Sequence, residues 1–292
     1  MRPSWLQTRL FLDGGDPQET RDVIRLLGFL DGQTTNPTLI SKSPEAREML
    51  EAGEKFTKEG IYQFYQDTVN KISSVVYRGS ISIEVYSDAA TSAEEMFEQA
   101  REMFRWIPNA HIKFPITTEG LKAAHLAIKN NIRVNMTLCF SQEQAAAVHM
   151  AVGDIRKGKA FISPFVGRLD DIGLRGVDLV ENILRMYRES EDKGFGHVEV
   201  LAASIRNLDQ FLYMIKIGAD IITAPFQVFE KWAESGFIKP EEDFNFLTPD
   251  LKPIPFQPDI KLVGDWHEIN IGHELTDAGL KRFADDWNKL IK

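Results

Sequence analysis

The sequence has 292 residues, 43% of them hydrophobic, so we expect a single domain with a large core. Its formal net charge of −9 argues against a nucleic-acid or anionic-membrane surface, because both recognise clustered lysine and arginine. Cys139 is the only cysteine, residues 1–12 lack a long apolar segment and no run reaches membrane-spanning length, which together predict a cytoplasmic protein.

Short β-rich runs alternate with helical patterns from about residue 8 to about residue 236. This alternation is typical of repeated βα units on a parallel sheet. Eight units are predicted, so we expect a (β/α)8 TIM barrel over residues 1–239. The predicted strands cover residues 8–13, 32–36, 80–85, 111–115, 133–138, 160–166, 197–204 and 220–224.

Local chemistry marks where several helices begin. Residues 92–95 and 141–144 have the form of capping boxes, in which a serine hydroxyl and a later carboxylate or amide satisfy free backbone N–H groups. Ser43 precedes Pro44, which predicts another capped start. Two helices, over about residues 44–58 and 60–76, form the largest insertion between strands.

Beyond residue 239 the alternation stops. Prolines break up a loop-rich segment, and an amphipathic helix is predicted over about residues 276–290. We interpret residues 240–292 as a C-terminal appendage that packs on the barrel or on a neighbouring subunit. Phe283 and Trp287, four residues apart on the helix, are expected to pack against that surface.

The most informative residue is a lysine inside a short apolar strand, Lys113 in the run 111–115. Lysine is rarely buried unless it is paired or has a chemical role, because an ammonium is costly to remove from water. A lone strand lysine more often faces solvent on an edge strand. Burial of Lys113 would favour the neutral amine, which can attack a carbonyl and form a Schiff base.

Polar residues also interrupt other predicted strands near their carboxyl ends, where barrel enzymes place catalytic groups. Side-chain alternation along strand five directs Asn135 and Thr137 inward. Taken singly, an acidic residue could be a helix cap, and Asn36 before Pro37 could be a turn signal. Their shared position favours a site. The candidates are Asp13, Asn36, Glu84, Lys113, Asn135, Thr137, Ser163, Phe165, Ser204 and Arg206.

Six runs in the same order resemble the transaldolase family, which implies a class I aldolase-type barrel. They are Phe-Leu-Asp at 11–13, Thr-Asn-Pro-Thr-Leu-Ile at 35–40, Ile-Lys-Phe-Pro-Ile-Thr-Thr-Glu-Gly at 112–120, Asn-Met-Thr at 135–137, Ser-Pro-Phe-Val-Gly-Arg at 163–168 and Ser-Ile-Arg-Asn at 204–207. The resemblance implies transfer of a dihydroxyacetone unit from a ketose phosphate, fructose 6-phosphate or sedoheptulose 7-phosphate, to an aldose phosphate in the pentose phosphate pathway.

The resemblance also implies a role for each matching residue. Lys113 would attack the ketone at C2, and Asp13 would take the C4 hydroxyl proton as the C3–C4 bond breaks. Glu84 would move protons through a water that Thr137 helps to hold. The remaining residues would bind the substrate: Asn36, Asn135 and Ser163 the three-carbon unit, and Arg168, Ser204 and Arg206 the phosphate.

Within the family, transferases carry Glu and Phe where free fructose-6-phosphate aldolases carry Gln and Tyr. Glu84 and Phe165 therefore favour transfer, since phenylalanine has no hydroxyl to protonate the intermediate and release dihydroxyacetone. The alternatives are an aldolase that releases free dihydroxyacetone and a non-catalytic barrel that binds sugar phosphates.

No cofactor and no metal are expected, because the six histidines lack ligand spacing and Cys139 has no partner. The final helix also resembles the helix by which shorter transaldolases pack on a neighbouring subunit. A homo-oligomer formed through this helix is therefore a further expectation.

Overall fold

The computed structural model describes residues 2–191, 197–246, 248 and 250–292. In this part of the chain, eight parallel strands form a closed barrel in chain order, which confirms the predicted (β/α)8 fold. The strands are β1 (Arg9–Asp13), β2 (Gly32–Thr34), β3 (Ser80–Glu84), β4 (Ala110–Pro115), β5 (Val134–Cys139), β6 (Ala160–Pro164), β7 (Val198–Ala202) and β8 (Ile221–Ala224).

Helices follow the strands and cover the outside of the barrel. They are α1 (Pro17–Leu27), α2 (Pro37–Ser41), α3 (Pro44–Glu51), α4 (Lys58–Val75), α5 (Ala93–Met103), α6 (Thr118–Lys129), α7 (Gln142–Val152), α8 (Val166–Asp170), α9 (Gly176–Glu191), α10 (Leu208–Lys216), α11 (Phe226–Glu234) and α12 (Glu274–Asn288). A 3-10 turn at Trp266–Glu268 precedes the last helix.

Strands six and seven are shorter than predicted, because the chain turns toward the barrel mouth earlier. Phe165 pairs only through an isolated bridge to Ala203, and α8 begins at the next residue. Ser204 has a φ of 58°, in the left-handed region, which ends extended pairing there. Both residues therefore lie in loops at the strand ends, as barrel site residues commonly do.

The predicted helix starts have three different outcomes. Ser92 forms the complete reciprocal capping box with Glu95. Ser141 accepts from the Gln144 N–H, but the Gln144 amide oxygen accepts from the N–H of Phe140 instead of Ser141. Ser43 lies at the N-cap position without capping, because its hydroxyl donates back to the carbonyl of Ile40.

Strand register brings three predicted residues to one level of the barrel. Glu84 on β3 is paired with Lys113 on β4, and Lys113 with Asn135 on β5. On the opposite side, Asp13 on β1 is paired with Thr34 on β2. Neighbouring strands in register place equivalent side chains about 5 Å apart, so these groups meet across the barrel interior.

Aromatic side chains and an ion pair between Arg9 and Glu199 fill the amino-terminal end of the barrel. The His111 and Phe161 rings stack with centroids 4.1 Å apart, and Phe11 meets Phe161 edge-on at 6.2 Å. Arg9 donates to the buried Glu199 at 2.6 Å. This packed floor leaves the carboxyl end as the open end of the barrel.

Polar side chains on the barrel helices hold the C-terminal segment. Gln142 exchanges two hydrogen bonds with the backbone of Gln257, and Asn182 donates to the carbonyl of Ile254. The predicted appendage, residues 240–292, includes residues 247 and 249, which lie outside the described part. Its helix starts two residues before the prediction, at Glu274, and packs on α2 and β5.

No helix among the described residues is both long and apolar enough to cross a membrane.

Candidate active site

A cavity of about 200 Å³ opens at the carboxyl ends of the strands. Nine of the predicted site residues line it: Asp13, Asn36, Lys113, Thr137, Ser163, Phe165, Arg168, Ser204 and Arg206. Glu84 and Asn135 lie behind the wall of the cavity. Seven further residues complete the lining: Thr34, Thr38, Leu39, Ala203, Thr223, Arg282 and Phe283.

A larger groove of about 1090 Å³ lies on the outside of the barrel, between α4, α5 and the end of α12. It is open and lined by surface charges of both signs. The smaller cavity contains the buried lysine and the strand-end side chains, so it is the candidate active site.

Lys113 is buried, with 3% of its surface exposed, and it is held by two oxygen atoms. Its Nζ donates to the carbonyl of Thr35 at 3.0 Å and lies 2.8 Å from Glu84 Oε2. Glu84 is also 3% exposed. The two side chains form a buried ion pair in which the amine faces the cavity and the carboxylate lies behind it.

Burial raises the pKa of Glu84 above its ordinary value, and nearby Asp13 adds to this, while Lys113 and Arg168 oppose it. A carboxylate with a raised pKa, 2.8 Å from an amine, can accept the amine's proton. Burial likewise raises the pKa of Asp13, against the attraction of Lys113 and the hydrogen bond that Thr34 Oγ1 donates at 2.8 Å. The site therefore holds one nucleophile and two carboxyl groups whose proton affinity is increased.

Thr137 has a buried hydroxyl with no hydrogen-bond partner among the described residues. It lines the cavity near Lys113, so a ligand hydroxyl or a water there could occupy its donor and acceptor positions. The next residue, Leu138, has a φ of 63°, and the β5–β6 register shifts between Met136 and Cys139. This local bulge interrupts the regular pairing of β5 just beyond Thr137.

Asn36 and Asn135 have different surroundings. Asn36 Oδ1 caps α2 by accepting from the Leu39 N–H at 2.9 Å, so the turn interpretation also holds for this residue. Its Nδ2 makes no hydrogen bond to the described residues, and Asn36 lines the cavity. Asn135 is fully buried between Ser82, to which it donates at 3.0 Å, and Ser163, from which it accepts at 2.7 Å. Asn135 thus orients Ser163, which does line the cavity.

Arg168 lies over the rings of Phe165 and Phe283, 5.1 and 5.5 Å from their centroids. It has no ion-pair or hydrogen-bond partner among the described residues. Burial lowers the pKa of Arg168, and Arg282 nearby lowers it further. A guanidinium that is held by aromatic faces, and that forms no ion pair with the described residues, is a suitable partner for an anionic ligand.

Arg206 forms a two-pronged ion pair with Asp171, with Nη2 2.6 Å from Oδ2. This hydrogen bonding raises the pKa of Arg206. A methyl group on Gly167 would overlap Arg206 Nε and the Ser204 carbonyl, so glycine is required for Arg206 to cross there. Arg168, Arg206 and Arg282 therefore bring three cations to one side of the cavity in an acidic protein.

The sequence prediction missed the contribution of the last helix to the cavity. Arg282 and Phe283 of α12 both line it, and Asp286 accepts from Thr38 at 2.5 Å. The amphipathic pattern predicted that the helix packs on something, but spacing alone does not say which residues meet the barrel mouth. Phe283 and Trp287 are 5% and 2% exposed because they pack against the chain's own barrel.

No cluster of three or more His, Cys, Asp or Glu side chains among the described residues could hold a metal ion. Cys139 is buried outside the cavity lining, and burial raises the pKa of its thiol to about 12. A thiol of this kind stays protonated and is a weak nucleophile.

Fold and site together define a (β/α)8-barrel protein with a buried lysine and two carboxyl groups at the carboxyl ends of its strands. The chain belongs to the transaldolase/fructose-6-phosphate aldolase family, whose family model matches residues 10–292. This confirms the family that the six sequence runs indicated.

Relatives named probable transaldolase match almost the full chain. The Caldicellulosiruptor saccharolyticus protein is 34% identical over 284 residues, covering 97% of this chain and 99% of that protein. The Dehalococcoides mccartyi protein is 33% identical over 284 residues, covering 97% of this chain and all of that protein (100%). A third relative, from Geotalea uraniireducens, is 34% identical over 285 residues.

Proposed function

We propose that this protein is a transaldolase. It would transfer a dihydroxyacetone unit from a ketose phosphate to an aldose phosphate through a Schiff base on Lys113. The observation that carries the proposal is the buried contact of 2.8 Å between Lys113 Nζ and Glu84 Oε2 at the cavity wall. Family membership and the names of the relatives support it.

The first half of the reaction begins when Lys113 passes a proton to Glu84 and attacks C2 of the ketose phosphate. The carbinolamine loses water to give the iminium ion, with Glu84 and a water near Thr137 moving the protons. Asp13 then takes the proton of the C4 hydroxyl. The C3–C4 bond breaks, its electron pair flows into the iminium to form an enamine, and an aldose phosphate three carbons shorter than the donor leaves.

In the second half, C3 of the enamine attacks the carbonyl carbon of an acceptor aldose phosphate, and Asp13 returns its proton to the new hydroxyl. Water then hydrolyses the imine and frees Lys113. With fructose 6-phosphate and erythrose 4-phosphate, the carbon atoms balance as six plus four giving three plus seven. The products are glyceraldehyde 3-phosphate and sedoheptulose 7-phosphate.

The surroundings of the enamine favour transfer over release. Phe165 lines the cavity as an apolar ring beneath Arg168, packed edge-on against Phe140 at 5.7 Å. It offers no proton to the enamine carbon, whereas protonation there would release dihydroxyacetone. Arg168 and Arg206 would hold the phosphate of the donor and then that of the acceptor.

The test is a transfer assay with fructose 6-phosphate and erythrose 4-phosphate, measuring sedoheptulose 7-phosphate and free dihydroxyacetone together. We expect the seven-carbon product to dominate, and Lys113→Met to abolish it. Lys122→Met is the matched control, because Lys122 is half-exposed on α6 and pairs with Glu119. Free dihydroxyacetone as the main product would indicate an aldolase. Sugar-phosphate binding without either product would indicate a non-catalytic barrel.

A further inference from the structure

A buried tyrosine outside the cavity contacts the residues on both sides of the reactive lysine. Tyr65 on α4 has no exposed surface. Its hydroxyl oxygen lies 2.6 Å from Thr35 Oγ1 and 3.0 Å from the backbone nitrogen of Glu84. One side chain of the outer helical layer thus reaches the ends of both β2 and β3.

The direction of these hydrogen bonds follows from counting hydrogens. Thr35 Oγ1 donates its single hydrogen to the carbonyl of Ser82 at 2.7 Å, so Tyr65 must be the donor to Thr35. The Tyr65 oxygen accepts from the Glu84 N–H. A chain of hydrogen bonds therefore runs from the Glu84 N–H through the hydroxyls of Tyr65 and Thr35 to the Ser82 carbonyl. Each of the two hydroxyls both donates and accepts.

The two residues that Tyr65 holds are the two that hold Lys113. The carbonyl of Thr35 accepts from Lys113 Nζ at 3.0 Å, and Glu84 Oε2 lies 2.8 Å from the same atom. Tyr65 does not touch Lys113. It fixes instead the positions of the carbonyl and of the backbone that carries the carboxylate.

Aromatic packing fixes the tyrosine ring in turn. Trp106 and Trp287 meet it edge-on, with centroids 5.9 and 5.8 Å away. Trp287 belongs to α12, so the C-terminal helix supports this position. Burial raises the pKa of Tyr65 well above its ordinary value of 10, so the hydroxyl remains a donor over the working pH range.

We propose that Tyr65 is a positioning residue for the Lys113–Glu84 pair, and that its hydroxyl keeps the amine and the carboxylate within contact distance while they exchange a proton. This inference rests on the proposed function, because Schiff-base chemistry is what requires the proton exchange. Tyr65 would affect the rate of the reaction more than the binding of substrate.

Loss of the hydroxyl would also change the pH dependence. Without the Tyr65 hydroxyl, the Glu84 N–H loses its acceptor. The end of β3 can then shift away from Lys113. The charges that face Glu84 are Lys113 from β4, Asp13 from β1 and Arg168 from α8. A longer distance to Lys113 weakens the charge attraction by which Lys113 lowers the pKa of Glu84. The acid limb of the rate profile then moves to higher pH.

The test compares Tyr65→Phe with Tyr187→Phe. Tyr65→Phe keeps the ring and should lower kcat for transfer about 10-fold or more, with KM for fructose 6-phosphate changed less than about twofold. The acid limb should move to higher pH. Tyr187 is also buried, and its hydroxyl donates to the carbonyl of Ala145 at 2.7 Å, outside the cavity. Its variant should lose stability and keep its kcat.

A second pair of variants tests the same chain of hydrogen bonds at its other hydroxyl, that of Thr35. Thr35→Val should reproduce the fall in kcat, and Thr35→Ser, which restores a hydroxyl, should recover most of it. Thermal denaturation of each variant establishes that it is folded at the assay temperature. The Thr35 variants test the chain of hydrogen bonds even if Tyr65→Phe does not fold.

The outcomes separate this inference from the proposed function. An unchanged kcat and pH profile in folded Tyr65→Phe, or an equal fall in Tyr187→Phe, would overturn the role of Tyr65. In either case wild-type protein would still form a borohydride-stable adduct on Lys113. Absence of that adduct in the wild type would overturn the proposed function itself.

Discussion

Asp13 lies at the end of β1, across the cavity from Lys113, and its carboxyl group has two opposing effects. The proposed reaction needs it ionised, but burial raises its pKa. A raised pKa in the folded state means that the folded protein binds this proton more tightly than the unfolded chain does. Its contribution to stability is therefore present at low pH and is lost as the pH rises through the folded pKa.

Asp13→Asn tests both effects. We expect kcat to fall about 100-fold or more, since a general base contributes that much. Urea denaturation should show a higher free energy of unfolding than wild type at pH 7, with the difference shrinking as the pH falls. A variant that is less stable than wild type at pH 7 would contradict the assignment of Asp13 as a buried, destabilising charge.

Phe165 is the residue expected to decide between transfer and release. Phe165→Tyr places a hydroxyl in the cavity, and we expect the ratio of free dihydroxyacetone to transferred product to rise several-fold. Both products are measured in one reaction, so loss of total activity does not affect the ratio. An unchanged ratio would mean that the ring at this position does not control the fate of the enamine.

Arg206 is expected to bind the substrate phosphate, and its pairing with Asp171 fixes its guanidinium. Arg206→Ala should raise KM for fructose 6-phosphate about 10-fold or more, since hydrogen bonds to charged groups are worth about 1.5–3 kcal/mol. KM for unphosphorylated fructose should change little. An equal change for both sugars would assign Arg206 a structural role instead.

Among the elements, α12 shows most clearly what a sequence pattern leaves open. Its apolar spacing predicted packing, and Phe283 and Trp287 do pack, but they pack on the barrel of the same chain. The contact joins residues more than 100 positions apart, so local spacing cannot identify it. An intersubunit contact through this helix would have to use its outer face.

The start of α12 is fastened to the end of β5 by one threonine. Thr276 Oγ1 donates to the carbonyl of Leu138 at 3.0 Å and accepts from Gln144 Nε2 at 2.8 Å. Leu138 directly follows Thr137 and has a positive φ, a conformation that costs about 1–2 kcal/mol in a residue other than glycine. Thr276 thus helps to hold the bulge beside the cavity.

Thr276→Val keeps the shape but removes the hydrogen bond to the Leu138 carbonyl and the one from Gln144 Nε2, which still donates to the carbonyl of Ile271. We expect the free energy of unfolding to fall by about 1–3 kcal/mol. Thr118→Val is the control, because Thr118 is exposed at the start of α6 and makes no hydrogen bond through its side chain among the described contacts. Equal stability of the two variants would show that the Thr276 hydroxyl does not fasten the helix.

At the scale of the molecule, the sequence was sufficient to predict the barrel and most of the cavity. Most strands carry their own signal, an apolar run with a polar residue near its end, and parallel closure brings those ends together. Asp13, Lys113, Thr137 and Ser163 were found in this way. Tyr65 and Arg282 were not, because they lie on helices whose surface pattern is ordinary and reach the site only through tertiary packing.

The same limit explains the errors in local chemistry. Ser43 precedes a proline as a capping serine does, but its hydroxyl is taken by the carbonyl of Ile40. Gln144 was expected to complete a capping box and instead bonds Phe140, Ile271 and Thr276. When a polar side chain can reach several partners, the folded environment decides which of them it bonds. Residue spacing does not describe that environment.

Lys113 is proposed to form the covalent intermediate, and borohydride trapping is the experiment that detects that intermediate. The protein is incubated with fructose 6-phosphate, reduced, digested and mapped by mass spectrometry. We predict one stable adduct, of the three-carbon or six-carbon unit, on the peptide that contains Lys113, and none in Lys113→Met. An adduct on another lysine, or turnover of fructose 6-phosphate with no adduct at all, would contradict Schiff-base formation on Lys113.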